Sequence, residues 1–269
     1  MAKVITVASQ KGGVGKTTTV LNLGYSLSRL GQKILVMDAD PQGGIAIASN
    51  LKKRTTQGLV DILKGQEDPS KLIIPTKDDS MAFLGVGAME PEEVMYYEKE
   101  ALKGNLSKAI HAIAQQYETV LIDAPAGAGS IAYALLAVSN SVILPVNCRT
   151  MNMKTMAGIL KLIQRVKARA NKSLALEGVV FTMMDEQSPY QREIQQEILQ
   201  SFPPSIFFET VIPYDEMFEW ASMRSVAVGM LPDGQEAARP YLDLAMELKV
   251  RELQSKMKGA SNEDVEGLF

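Results

Sequence analysis

Cysteine, histidine and tryptophan are almost missing from this chain, each occurring once among 269 residues. The single cysteine, Cys148, cannot close an internal disulfide, and with only His111 beside it the usual zinc sphere of thiolates and imidazoles is excluded. Any metal should be a hard ion held by oxygen ligands and phosphates. Cys148 follows a strand pattern and reads as a small buried thiol in a reducing, cytoplasmic setting. His111 lies in the helical stretch Asn105–Gln116 and reads as structural. No apolar run reaches the roughly 18 residues of a membrane span; the richest window, 134–146, is cut by Ser139, Asn140 and Ser141. Met1-Ala2-Lys3 leads straight into a strand pattern, with no signal-peptide signature. Positive charge is not in excess either. A net charge of −3 and a pI near 5.4 argue against a broadly basic nucleic-acid binder, while leaving room for a local basic patch.

What is present is an alternation of strand and helix patterns. Strands are expected at Val4–Ala8, Lys33–Asp38, Met81–Leu84, Thr119–Asp123, Ser141–Val146 and Gly178–Thr182, with another ending at Val211–Pro213. Helical patterns cover about Thr17–Leu30, Glu92–Gln116 (with Gly104 as a break), Ile131–Val138, Met153–Ala170, Tyr190–Phe202 and Glu236–Met257. Continuously apolar strands separated by helices indicate a doubly wound, mostly parallel twisted sheet, of the α/β class, with helices on both faces. In such sheets ligands gather at the strand C-termini. Residues 1–258 read as one domain and 259–269 as a flexible acidic tail.

Three motifs fall at that edge. Gln10 to Thr18 reads Q-K-G-G-V-G-K-T-T between a strand and a helix. Gly12, Gly13 and Gly15 let backbone N–H groups, with those of Val14 and Thr18, turn toward one anion at a helix N-terminus. Lys16 supplies a charge for the β and γ phosphates, and the Thr17 hydroxyl suits Mg²⁺. The first glycine of the usual pattern is replaced by Gln10, and Lys11 adds a second lysine to the loop. Asp38 and Asp40, in M-D-A-D-P-Q-G-G, would share one side if extended backbone persists through Asp40. They could hold Mg²⁺ waters, orient an attacking water, or simply make a turn. Asp123 ends T-V-L-I-D-A-P-A-G-A-G, where P-loop proteins hold Mg²⁺.

With these segments, and the weaker Val211-Ile212-Pro213, the chain resembles the ParA/MinD family of deviant-Walker P-loop ATPases, nearest the ParA (Soj-like) branch. The resemblance implies ATP/ADP and Mg²⁺ as cofactors and an ATP-dependent homodimer. In it Lys11 is similar to the signature lysine that reaches the phosphates bound by the other subunit. It also implies Lys16 as the phosphate lysine, Thr17, Asp38 and Asp123 around the metal, and Asp40 orienting the hydrolytic water. Met183 and Pro213 fall where the family contacts adenine. An activator of ParB type, or a cargo-linked equivalent, would stimulate a weak intrinsic ATPase.

The chain also departs from those relatives. Met183-Met184-Asp185-Glu186-Gln187 and Pro213-Tyr214-Asp215-Glu216-Met217 lack the arginines that DNA-coating members carry there. Lys154, Lys161, Arg165, Lys167, Arg169 and Lys172, or Lys249, Arg251, Lys256 and Lys258, could compensate or could be solvated helix faces. Glu263, Asp264 and Glu266 beside the final Leu268-Phe269 oppose a MinD-like membrane anchor. The expected function is a cytoplasmic or nucleoid-associated positioning or partitioning switch for DNA or a protein cargo. The alternatives are a MinD-like membrane ATPase or a metabolic ATP-dependent ligase on the same fold. A nitrogenase-iron-protein-like role would need two cluster cysteines.

Overall fold

Five-residue apolar segments dictate the centre of the molecule. Lys3–Val7 (β1), Ile34–Asp38 (β2) and Thr119–Asp123 (β5) carry β-branched and aliphatic side chains on both faces, which suits strands covered from both sides. The computed structural model describes residues 2–44, 56–76, 80–149, 152–224 and 226–266, except for the side chains of 152–154, 256 and 258–266. Within these residues the strands β3 (Ile74–Pro75), β4 (Met81–Leu84), β6 (Ser141–Asn147), β7 (Ala175–Met184) and β8 (Phe207–Pro213) complete one sheet. Its order is β3-β4-β2-β5-β1-β6-β7-β8. Every pairing is parallel except β3 with β4, so the sheet is the doubly wound, mostly parallel kind.

Helices α1 (Lys16–Arg29), α2 (Leu59–Leu63), α3 (Pro69–Leu72), α4 (Pro91–Leu102), α5 (Asn105–Ala114), α6 (Ser130–Val138), α7 (Asn152–Arg169), α8 (Pro189–Ser201), α9 (Met217–Arg224) and α10 (Gln235–Glu266) fill the connections. Strand alternation sorts the core into two layers. Ile5, Val7, Ile34, Val36, Leu121 and Ile143 face α1 and α10 through Leu23, Leu27, Tyr241 and Leu244. Val4, Leu35, Met37, Val120, Ile122 and Leu144 face α4 to α7 through Tyr97, Leu106, Ile110, Leu135 and Ile163. Helix α1 lies so close to the sheet that a Cβ on Gly24 would sit 2.8 Å from Val36 Cγ2.

The last helix is stapled to the far side of the sheet. Arg251 lies over the Phe208 ring at 4.3 Å, pairs with Glu247, and donates to the carbonyls of Glu177 and Phe207. Lys3 bridges Glu177 and Glu252, each at 2.8 Å. Helix α10 extends to Glu266, past the Met257 end expected from its pattern. Residues 267–269 lie outside the described residues, as do the side chains of Lys154, Lys256 and Lys258. His111 is on the α5 surface, and Cys148 is buried, its thiol pushed up to about 11 by desolvation.

Candidate functional site

Parallel register brings the chemistry to one level. Val7 pairs with Asp123 and Asp38 pairs with Asp123, so β1, β2 and β5 end together. The loop after β1 leaves from this edge into α1, whose N-cap Gly15 is left-handed (φ 84°), as is Gly13 (φ 71°). The loop's carbonyls are tied outward. Ser9 Oγ donates to Lys11 O at 2.5 Å, Asn147 Nδ2 to Gly13 O at 3.3 Å, and Thr182 Oγ1 to Val14 O at 2.9 Å. In a planar trans peptide each such C=O opposes the next residue's N–H. The N–H groups of Gly12, Val14 and Gly15 are thereby turned the other way, as an anion cradle requires. The two lysines differ in setting: Lys16 is buried (8 % exposed), whereas Lys11 is exposed at the loop's tip. Gln10, standing where a glycine is usual, packs onto α7, and a Cβ on Gly158 would fall 1.8 Å from its Oε1.

The carboxylates surround the start of α1. Thr17 Oγ1 donates to Asp123 Oδ2 at 2.5 Å. The other oxygen, Asp123 Oδ1, is buried with no hydrogen-bond partner among the described residues. A buried acceptor of that kind suits a metal-bound water, so the donor set Thr17, Asp38 and Asp123 fits a hard cation. Strand β2 stops at Asp38, two residues before Asp40. Asp40 N donates to Asp38 Oδ1 at 3.1 Å, and Asp40 opens a turn, accepting Gln42 N–H at 3.0 Å. Turn chemistry and a placed carboxylate coexist there. Asp38 is fully buried and Asp40 half-buried.

Burial pushes the Asp123 carboxyl up to about 7, with Asp38 adding repulsion and the Thr17 hydroxyl and Lys16 opposing the shift. The folded state therefore holds a proton that the unfolded chain releases near pH 4, and this group's contribution to stability falls as pH rises from there to about 7. Asp123→Asn keeps an acceptor for Thr17 and removes that penalty. In nucleotide-free protein its effect on the unfolding free energy is expected to be more favourable at pH 8 than at pH 5, because the buried charge it removes exists only at the higher pH. Urea titrations at the two pH values check this; an equal effect at both would exclude the buried charge as its cause.

Beyond the loop, Met183 and Pro213 lie on neighbouring strand ends, with Met184 in register with Pro213. They line one pocket with Gly15, Thr18, Tyr214, Asp215 and Phe218. Met183 is the only non-glycine residue with positive φ (53°) among the described residues, a strained conformation at the pocket wall. Sequence reasoning missed Tyr214 and Phe218, and also Arg149, whose guanidinium lies 5.1 Å from the Tyr214 ring. It also missed Tyr97. This fully buried α4 phenol donates to Ala39 O at 3.4 Å, and burial together with Asp38 and Asp40 raises its pKa. Only its place in a helical apolar pattern was visible, and that signals core rather than site.

A glycine-lysine loop between a central parallel strand and a helix, with carboxylates from two adjacent strands beside it, defines a P-loop nucleotide-binding protein. A family model described as "AAA domain" matches residues 2–176. The chain is 30% identical over 253 residues to the sporulation initiation inhibitor protein Soj of Bacillus subtilis, covering 92% of this chain and 98% of that one. Among solved structures, cobyrinic acid a,c-diamide synthase from Mycobacterium smegmatis with bound ATP analog and magnesium is similar at TM-score 0.76 and 25% identity, over 91% of this chain and 93% of that one. The Pyrococcus furiosus cell division ATPase MinD shares the fold at TM-score 0.76 and 24% identity, over 93% and 99% of the two chains. The chain belongs to the ParA/MinD family of P-loop ATPases, on the Soj-like side.

Proposed function

We propose that this chain is a Mg²⁺-dependent ATPase that closes as a homodimer over ATP and works as a spatial positioning switch, with hydrolysis stimulated by a partner protein. The observation that carries this reading is the division between two lysines of one loop. Lys16 is buried beside its own phosphate cradle, and Lys11 is exposed beyond it. An exposed ammonium adds little to a pocket that already has one cation. Placed against a triphosphate held by a facing copy, it would offset charge that neither protomer neutralises alone. ATP would then stabilise only the closed pair, which is population shift.

In this reading Gly12 to Thr18 and Lys16 hold the phosphates, Met183 and Pro213 border the base, and Thr17, Asp38 and Asp123 hold Mg²⁺. The ion would neutralise charge on the β and γ phosphates. Asp40 would accept the proton side of the attacking water and orient it. Lys11→Ala is expected to leave ATP affinity within a few-fold of normal while the ATP-dependent dimer disappears in sedimentation velocity. A dimer of undiminished affinity would remove the cross-subunit role.

For the surface on which such a switch acts, α7 presents Lys161, Arg165, Lys167 and Arg169, all exposed, with Lys172 just beyond. The α10 cations Lys249 and Arg251 are engaged by Glu252 and Glu247. Nonspecific DNA binding through α7 is expected to require ATP and to fall by an order of magnitude or more from about 50 to 200 mM salt in co-sedimentation. No pelleting at low salt with ATP would remove the nucleoid as the surface. The likeness to a diamide synthase favours a second reading, a ligase. That reading requires a small co-substrate for turnover, so ATP hydrolysis by the protein alone decides against it.

A further inference from the structure

Helix α4 carries two adjacent tyrosines with different surroundings. Tyr96 is half-buried, and its hydroxyl donates to the Leu63 carbonyl at the end of α2, at 2.9 Å. Tyr97 is fully buried among the apolar side chains between the sheet and its helices, where a phenylalanine ring would fill the same space. A hydroxyl in such a place is costly unless it finds a partner. Its partner is the carbonyl of Ala39 at 3.4 Å, a residue that is itself fully buried. Among the described residues no other donor reaches that oxygen.

Ala39 separates Asp38 from Asp40, and its carbonyl belongs to the same planar peptide as the Asp40 N–H. That N–H donates to Asp38 Oδ1 at 3.1 Å. One flat peptide is thus held at both ends, by a carboxylate on β2 and by a phenol from outside the sheet. The chain on either side is fixed as well: Ala39 N–H donates to Asp123 O at 3.0 Å, and Asp40 O accepts Gly43 N–H at 2.8 Å. With that plane held, ψ of Ala39 and φ of Asp40 are set, and with them the direction in which the Asp40 side chain leaves the backbone.

We propose that Tyr97 is a positioning residue for ATP hydrolysis, its hydroxyl clamping the Ala39–Asp40 peptide and so aiming the Asp40 carboxylate. This rests on the water-orienting role given to Asp40 above. Of the two clamps, Asp38 also belongs to the donor set that would hold Mg²⁺, so its oxygen has a second claimant; the phenol has none. Catalytic groups must be held within about 0.5 Å of productive geometry, so a clamp on the backbone registers in the rate even though it touches no substrate. The bond is longer than the usual O–H···O distance of about 2.8 Å, which limits its effect to a modest factor.

The test measures single-turnover ATP hydrolysis, ATP affinity and urea stability for Tyr97→Phe, Asp40→Ala, the double variant and Tyr96→Phe. Tyr97→Phe removes only the hydroxyl, and is expected to slow hydrolysis about three- to tenfold while ATP affinity stays within about twofold. In the Asp40→Ala background the same substitution should change the rate by less than about twofold, because the carboxylate it aims is gone. Tyr96→Phe loses a shorter hydrogen bond on the same helix and should leave the rate as it is, whatever it costs in stability. Full rate in Tyr97→Phe, an equal loss from Tyr96→Phe, or the same factor lost with and without Asp40 would each overturn the inference. Normal turnover by Asp40→Ala would remove the water-orienting role and the clamp with it. A slow Asp40→Ala beside a full-speed Tyr97→Phe would remove the clamp alone.

Discussion

Alanine at Asp40 is expected to lower single-turnover ATP hydrolysis by about two to three orders of magnitude while ATP affinity stays within a few-fold. The carboxylate sits just past the end of β2, half-buried, with its backbone N–H held by Asp38 Oδ1 and one of its own oxygens held by Gln42 N–H. Tyr97, from a helix on the far side of the sheet, holds the intervening Ala39 carbonyl. In the mechanism proposed above this braced carboxylate would orient a water rather than bind nucleotide, so its loss should fall on kcat and not on KM. The ATP-bound dimer should then accumulate, visible as a long-lived faster-sedimenting species. Near-normal turnover by this variant would shift the hydrolytic role to another group, with Asp38 the neighbour to examine.

Lys16→Ala is expected to weaken nucleotide binding by about 10²- to 10³-fold, the loss of a buried charge-assisted contact to phosphate. The nucleotide-free protein is expected to lose stability as well, because the Lys16 ammonium offsets the buried carboxylates Asp38 and Asp123, which its removal leaves uncompensated. Trp220, the one tryptophan, lies on α9 beside Phe218 and Glu219, which line the pocket next to the loop. Its fluorescence in an ATP titration reads affinity, and its denaturation curve reads stability. Retained affinity would mean that the loop's N–H groups alone suffice. Unchanged stability would mean that Lys16 does not offset those carboxylates in the nucleotide-free protein.

Strands buried on both faces were legible nearly residue for residue. β1, β2, β5 and β6 appear within a residue or so of their apolar runs, because strands covered on both faces need mostly apolar side chains along their length. β7 and β8 are longer than their patterns, Ala175–Met184 against Gly178–Thr182 and Phe207–Pro213 against the Val211–Pro213 end. Their extra residues include Glu177, Glu209 and Thr210, polar residues that argue locally against a strand. Lys3 bridges Glu177, and Glu247 accepts from the N–H groups of Glu209 and Thr210. Those partners are distant in sequence, so no local window contains them. Short helices such as α2, α3 and α9 were invisible for a related reason: too few residues to show a period.

The order of motifs, the spacing of Lys11 and Lys16, and the apolar strand ends were determined by the chain as written. Each is a local requirement: glycine for positive φ, a hydroxyl after the lysine, a carboxylate where a strand runs out. Only the folded molecule decided which lysine is buried, that Asp123 keeps one oxygen without a partner among the described residues, and that Tyr97 braces Ala39. Those properties depend on what other segments place against a residue. Burial and partnership are set by packing between elements, which a linear spacing does not contain.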